Sequence, residues 1–323
     1  MSSKTAVIFA ALMLILSIAP RSSSHKITWK RGPDIPLPRG GYSAAAFQGG
    51  VLVAGGVYWK GGEKLWTDRV DFYNPHSNQW SQWPPLPQPL AYGGMVRVDG
   101  TLYLMGGGNK TVPQRNVYKL VDRQWVTVAK TPGPLFFASA ASVGSRIYLI
   151  AGTPEMDDLS KGTNEVWAAD VRDWKWKSLP PFSGAPRTTQ SAAAAGSSVY
   201  LFGGVTQRTG GALQNLDDAC RLDTNTETWT TLKPAPQQVR AWWAEAADAS
   251  IYLLGGYSDR FLDTVYRYDP SKDEYTLVSN FQPGLADTKF IHHQGTFYGI
   301  SGEDKGKSRF PGLLLGTLAG KDE

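Results

Sequence analysis

The sequence of 323 residues contains one cysteine, Cys220, and four histidines. A single cysteine excludes an internal disulfide, so the fold must rest on its core and on how its ends are closed. The histidines offer little to a metal. His25 and His76 are isolated, and His292 and His293 are neighbours on an expected strand, where they point to opposite faces. Neither a Gly-x-Ser-x-Gly elbow nor a phosphate-binding loop leading into a helix is present. No metal and no cofactor is therefore expected. The 33 basic and 28 acidic residues give a formal charge of +5, with the basic residues scattered. Without a basic run there is no electrostatic footprint for nucleic acid.

Long apolar runs are also scarce. Ala6–Ala19 is the longest, and 14 residues are too few to cross a bilayer comfortably. Lys4 precedes it and the small pair Ser22-x-Ser24 follows, so residues 1–24 read as an export signal cut before His25. The remainder, 25–323, is expected to be a single domain that is secreted or periplasmic, with no membrane insertion after cleavage. Loss of Lys4 and Arg21 leaves 31 basic against 28 acidic residues, about +3.

What is abundant is glycine (35), proline (21), tryptophan (12) and tyrosine (14). This composition suits short strands joined by tight turns. The glycines are periodic. Six apolar runs end in a small pair, VLVAGG, TLYLMGG, RIYLIAG, VYLFGG, IYLLGG and FYGISG, closing at Gly56, Gly107, Gly152, Gly204, Gly256 and Gly302. The intervals are 51, 45, 52, 52 and 46 residues. Ahead of five of these runs lies a strand of small residues (GYSAAAF, YGGMVRV, FASAASV, TQSAAAA, WWAEAAD). Behind five of them come a third strand and a fourth bearing an aromatic: Trp80, Trp125, Trp174 or Trp176, Trp229 and Tyr275. Small residues suit strands that converge on an axis, and the aromatics suit packing of one sheet on the next. The sixth unit stops without its aromatic strand. Ile27-Thr28-Trp29-Lys30 at the other end supplies it, so the N-terminal strand should close the last unit.

The glycine pairs, the third-strand tyrosines and the fourth-strand tryptophans resemble kelch repeats, which have a period of about 50 residues. The resemblance implies an all-β, six-bladed β-propeller. In such a fold the loops before the first strand and after the second ring one end of a central channel, and ligands bind there. Those loops supply Arg39, Tyr42, Tyr92, Phe137, Arg187, Gln190, Arg240, Trp242, Trp243, Asp287 and Lys289, and on the other side Tyr58, Trp59, Glu303, Lys305 and Arg309. Arginine offers a fork to a carboxylate, and aromatic rings offer flat apolar faces to a sugar. Glu245 lies among small residues on an inner strand, where desolvation should raise its pKa.

The last loop, Gly302-Glu303-Asp304-Lys305-Gly306-Lys307-Ser308-Arg309, is similar to the Gly-Glu-x-Lys-x-Gly-x-Arg loop of bacterial sialic-acid mutarotases, which are secreted six-bladed kelch propellers. Glu303 and Lys305 match, and Arg309 is one or two residues out of register. The resemblance implies acid–base opening and reclosure of a sugar ring. Glu303 or Glu245 would be catalytic, and Arg309, Arg240, Arg187, Arg39, Lys305, Trp242 and Tyr92 would contact a small sugar acid or glycan. The alternative is a non-catalytic propeller that binds a protein or a glycan through the same loops. Copper oxidases that carry a kelch propeller need two histidine ligands and a tyrosine–cysteine crosslink. Cys220, on an expected third strand, and the placement of the histidines argue against that chemistry.

Overall fold

The computed structural model describes residues 26–110, 112–208 and 211–318; the expected export signal lies outside them. The chain forms six antiparallel sheets arranged as the blades of a propeller, five of four strands and one, blade II, with a short fifth strand, Val112–Pro113. Blade I comprises Ser43–Phe47, Gly50–Ala54, Val70–Asn74 and Gln79–Trp83 from the axis outward. The inner strands of blades II to VI begin at Ala91, Ser139, Ser191, Trp243 and Lys289. Each inner strand touches the inner strands on either side, which closes the ring.

Period-two alternation builds the core. Successive side chains of a strand face opposite ways, so each buried second strand serves two neighbours. In blade I, Leu52 and Ala54 pack toward blade II while Val51 and Val53 pack toward blade VI. In blade IV, Val199 and Leu201 face blade III while Tyr200 and Phe202 face blade V. The result is one apolar cluster at each of the six blade interfaces. Each fully buried aliphatic or aromatic side chain contributes about 1.5–3 kcal/mol. No blade could bury both faces alone.

The outer aromatics perform a second, repeated task. Trp80 Nε1 donates to Pro33 O, Trp176 Nε1 to Lys130 O, Trp229 Nε1 to Pro180 O and the Tyr275 hydroxyl to Lys233 O, at 2.9–3.2 Å. Each bond reaches backward to the end of the preceding blade's outer strand. Blade II departs from the pattern: Trp125 Nε1 is buried with no partner among the described residues. The blade III outer strand is Lys177–Leu179, so Trp174 and Trp176 lie just ahead of it rather than on it.

Closure follows the sequence expectation. Ile27–Arg31 forms the outer strand of blade VI, paired antiparallel to Leu313–Leu318 with Ile27 opposite Leu318 and Arg31 opposite Leu314. Trp29 stacks edge-on against Phe281 and Phe290 at 5.4 and 5.8 Å, and its indole donates to Ser279 Oγ at 3.1 Å. The Trp29 ring lies on Gly316, where an added Cβ would sit 2.5 Å from it. No helix among the described residues is long and apolar enough to cross a membrane.

Candidate functional site

The second glycine of each pair lets the second strand turn away beside the start of the inner strand. At Gly302, φ is +107° and a Cβ would lie 1.8 Å from Thr288 Oγ1, so only glycine fits. This close approach brings the two loop sets together at one end of the channel. There the backbone adopts the same unusual conformation in every blade. Gly41, Tyr92, Phe137, Thr189, Ala241 and Asp287 occupy equivalent positions, all with φ between +53° and +62°. Four of the six, Tyr92, Phe137, Thr189 and Ala241, carry side chains that disfavour the left-handed region.

These six residues are stitched together. Tyr92 N–H donates to Gly41 O at 2.7 Å, Phe137 N–H to Tyr92 O at 3.1 Å, Ala241 N–H to Thr189 O at 2.9 Å and Asp287 N–H to Ala241 O at 3.0 Å. Side chains complete the circle: Gln190 Nε2 donates to Phe137 O at 3.2 Å, and Asp287 Oδ2 accepts the Gly41 N–H at 2.5 Å. The strained positions are thus held by a hydrogen-bonded hoop that crosses all six blade interfaces. All six line one cavity of about 280 Å³ at the mouth of the channel.

The cavity wall is neutral on one side and charged on the other. Blades III and IV contribute Phe137, Ala138, Thr189 and Ala192. Blades VI and I contribute Asp287, Lys289, Glu303, Arg309, Trp59 and Lys64. Arg309 Nη1 donates to Glu303 Oε1 at 2.7 Å, with the arginine side chain 5% exposed. Lys289 Nζ stands 3.9 Å from Asp287 Oδ1 and 4.7 Å from the Trp243 ring. Burial holds the Lys289 ammonium below the usual lysine range, partly offset by Asp287. Burial pushes the Tyr92 phenol well above its usual range, so it stays protonated at neutral pH.

The structure brings Glu303, Arg309, Tyr92 and Trp242 into the wall of this cavity. Trp242 is a packing residue, its indole donating to Phe202 O at 3.2 Å across the interface of blades IV and V. The other sequence candidates lie elsewhere. Arg39 is fully buried, pairs with the equally buried Asp71 at 2.8 Å, and donates to Gly55 O and Leu37 O. Arg187 repeats this device in blade IV, with both guanidinium ends on Asp218 at 2.5 Å and a further bond to Gly203 O. Both arginines tie the approach to the inner strand to the third strand of their own blade, and neither faces the cavity. Arg240 donates to Asn215 Oδ1 at 2.9 Å and stacks on Tyr257, outside the wall. Lys305 is exposed and does not line the cavity. Glu245 is half-buried on the inner strand of blade V and is not part of the wall. It accepts the His292 N–H at 2.8 Å and the Trp243 indole N–H at 2.9 Å. Desolvation pushes its pKa up to about 7.

Lys64 escaped the sequence reading. It sits on a hairpin, Val57–Lys60 with Glu63–Trp66, between the second and third strands of blade I; blade IV runs the same two strands on into a ladder of 204–207 with 213–216, and blade II into a short one of 108–109 with 112–113. The signal was present: the Gly61-Gly62 pair separates two short runs with aromatic residues, the usual mark of a tight hairpin.

Comparison with known proteins agrees with this architecture. Residues 94–299 match the model of the KLHDC2/KLHL20/DRC7 Kelch-repeats domain. The N-acetylneuraminate epimerase of Pasteurella multocida is 26% identical over 200 residues, half of this chain and 52% of that protein. The N-acetylneuraminate epimerase of Haemophilus influenzae is 30% identical over 101 residues, 30% of this chain and 27% of that protein. Kelch domain-containing protein 3 of Bos taurus is 35% identical over 111 residues, 32% of this chain and 28% of that protein. The chain thus spans between about a quarter and a half of the length of these relatives. With six glycine-paired blades and a family match over most of its length, the chain belongs to the Kelch-repeat family.

Proposed function

We propose that this propeller is an exported sugar-acid mutarotase, with its substrate held in the cavity at the channel mouth. The observation that carries the reading is the charged half of that cavity. Two carboxylates and three cations face a space rimmed by Tyr92, Trp59 and Trp243, on a scaffold fixed by every blade. The likeness to N-acetylneuraminate epimerases supports the choice of an acidic sugar.

Anomer exchange needs a base for the anomeric hydroxyl proton and an acid for the ring oxygen. The ring opens, the carbonyl face turns, and the ring recloses with the proton transfers reversed. Glu303 is placed to take and return a proton, and Arg309 fixes the carboxylate's orientation through the 2.7 Å bond. The Asp287–Lys289 pair on the adjoining wall provides the second proton-transfer group. A lysine held below its usual range gives up its proton more readily than a solvated one. The flat rings give the apolar face of a pyranose a surface to lie on.

Proton NMR of freshly dissolved α-N-acetylneuraminic acid tests this directly. The purified protein should speed the approach to anomeric equilibrium. Glu303→Gln should remove roughly 10²–10⁴-fold of that acceleration, the usual worth of general acid–base catalysis. Undiminished rates in Glu303→Gln would reject its role. No acceleration by the unmodified protein would reject the enzyme and leave a propeller that binds a glycan or protein without turning it over.

A further inference from the structure

The hairpin of blade I has two faces, and the sheet register says which residues share one. Trp59 stands directly opposite Lys64, and Val57 directly opposite Trp66. Side chains alternate along a strand, so Trp59, Lys64, Val57 and Trp66 project from the same face. Tyr58 with Leu65, and Lys60 with Glu63, project from the other. Both Trp59 and Lys64 line the mouth cavity. The insertion therefore delivers one aromatic ring and one ammonium group to the site and leaves its Gly61-Gly62 tip exposed.

The three cations of the cavity are not equivalent. Arg309 has Glu303 on Nη1 at 2.7 Å, though its buried Nε has no partner among the described residues, and Lys289 has Asp287 at 3.9 Å. Lys64 has no carboxylate within 4 Å among the described residues; its Nζ rests instead over the rings of Tyr92 and Trp66, at 5.1 and 5.5 Å. Burial holds its ammonium below the usual range and the nearby Arg309 charge adds to that, while the carboxylates of Asp287, Glu303 and Asp157, none in contact, partly offset it. An ammonium desolvated, crowded by a second cation and with no carboxylate in contact is one that an incoming anion would stabilise.

We infer that Lys64 is the anion anchor of the cavity, the residue that selects a carboxylate-bearing sugar over its neutral counterpart. This rests on the reading of the mouth as an acidic-sugar site, and it assigns the carboxylate to the hairpin rather than to the arginine loop. Arg309 then positions Glu303, and the hairpin insertion sets specificity. Trp59, opposite Lys64 in the register, covers the sugar beside the bound carboxylate.

Calorimetry with N-acetylneuraminic acid and with its methyl ester tests the assignment, using Lys64→Met to keep the aliphatic stem and Lys305→Ala as a control of equal charge loss outside the wall. The ester has the same ring without the charge. Lys64→Met should weaken the acid roughly tenfold or more, as loss of a charged hydrogen bond does, and change the ester little. Lys305→Ala should change neither. Retained acid affinity in Lys64→Met, or equal weakening of acid and ester, would overturn the anchor. Circular dichroism establishes that the variant is folded. A second readout is independent of the variant: in protein with ¹³C-methylated lysines, the acid should raise the Lys64 titration midpoint and the ester should not. An unmoved midpoint on saturation with the acid would also overturn it. Binding of the acid through Lys64 without anomer exchange would sink the proposed activity alone. Exchange that Lys64→Met leaves intact would sink the anchor alone, and binding of neither ligand would sink both.

Discussion

At the scale of single residues, the same residue type serves opposite ends, and depth decides which. Arg39 and Arg309 are both mouth-side arginines in the sequence. Arg39 is sealed with Asp71, both side chains fully buried, whereas Arg309 reaches a cavity. Breaking a sealed pair by removing one partner is costly, so such arginines report on stability rather than on ligands. Glu245 is a residue whose environment was legible before its role. Its place among small inner-strand residues predicts desolvation, and burial pushes its pKa up to about 7. The sign of the consequence follows from proton counts. Below the ordinary value near 4.5, folded and unfolded chains both hold the proton. Between 4.5 and about 7 the unfolded chain has released it and the native state has not, so native stability falls as pH rises. His292 and His293, held below their usual range by burial, contribute the opposite slope because the unfolded imidazoles take protons first. Comparison with Glu245→Gln isolates the carboxyl. Urea unfolding between about pH 4.5 and pH 8 should show the variant gaining on the unmodified protein through the window and flattening above it, with a ceiling of about 3 kcal/mol. Parallel stability curves would mean that water solvates Glu245 in the folded state.

At the scale of elements, strand order was readable and insertion was not. The second strands announce themselves because they are buried on both faces and end in glycine. The outer strands announce themselves through one aromatic. Blade I's hairpin carries no repeat signature, since the connections at this place differ in length and sequence from blade to blade, and with it went Lys64. Glu303 and Arg309 were visible as a local motif. Asp287 and Lys289 were visible as mouth residues; the Ala286–Glu303 bridge inside blade VI sets them beside the motif, and ring closure then brings Gly40 of blade I against Asp287 and Arg309. The closing strand is the element on which this depends. Ile27–Arg31 covers the edge of Leu313–Leu318, and an uncovered apolar edge invites pairing between molecules. Trp29→Ala removes the ring from Phe281, Phe290 and Gly316 and the bond to Ser279. It should cost about 3 kcal/mol, the low end for truncating an aromatic, because Trp29 is only half-buried. Denaturant unfolding measures the loss. A cost within about 0.5 kcal/mol, the range of ordinary surface substitutions, would show that strand pairing alone closes the ring.

At the scale of the whole molecule, the hoop at the mouth and the six interface clusters make one mechanical unit. Blades touch only their neighbours, so an open row of them could unfold piecemeal, as linear repeat arrays can. Closure removes that freedom: opening one interface separates two hoop residues, and the cavity loses its shape. A ligand that needs Asp287, Glu303 and Lys64 from blades VI and I, and the neutral wall of blades III and IV, therefore binds only when the ring is complete. Its binding energy should appear as global stability. For a ligand at a hundred times its dissociation constant, linkage gives about 2.7 kcal/mol. Calorimetric melting with N-acetylneuraminic acid should shift the entire transition upward as a single peak. The Trp29→Ala protein should show the same ligand-induced gain from its lower starting point. A ligand that raised only part of a split transition would show that some blades melt without disturbing the mouth, and the hoop would then be a local trim on the cavity rather than the device that couples it to the fold.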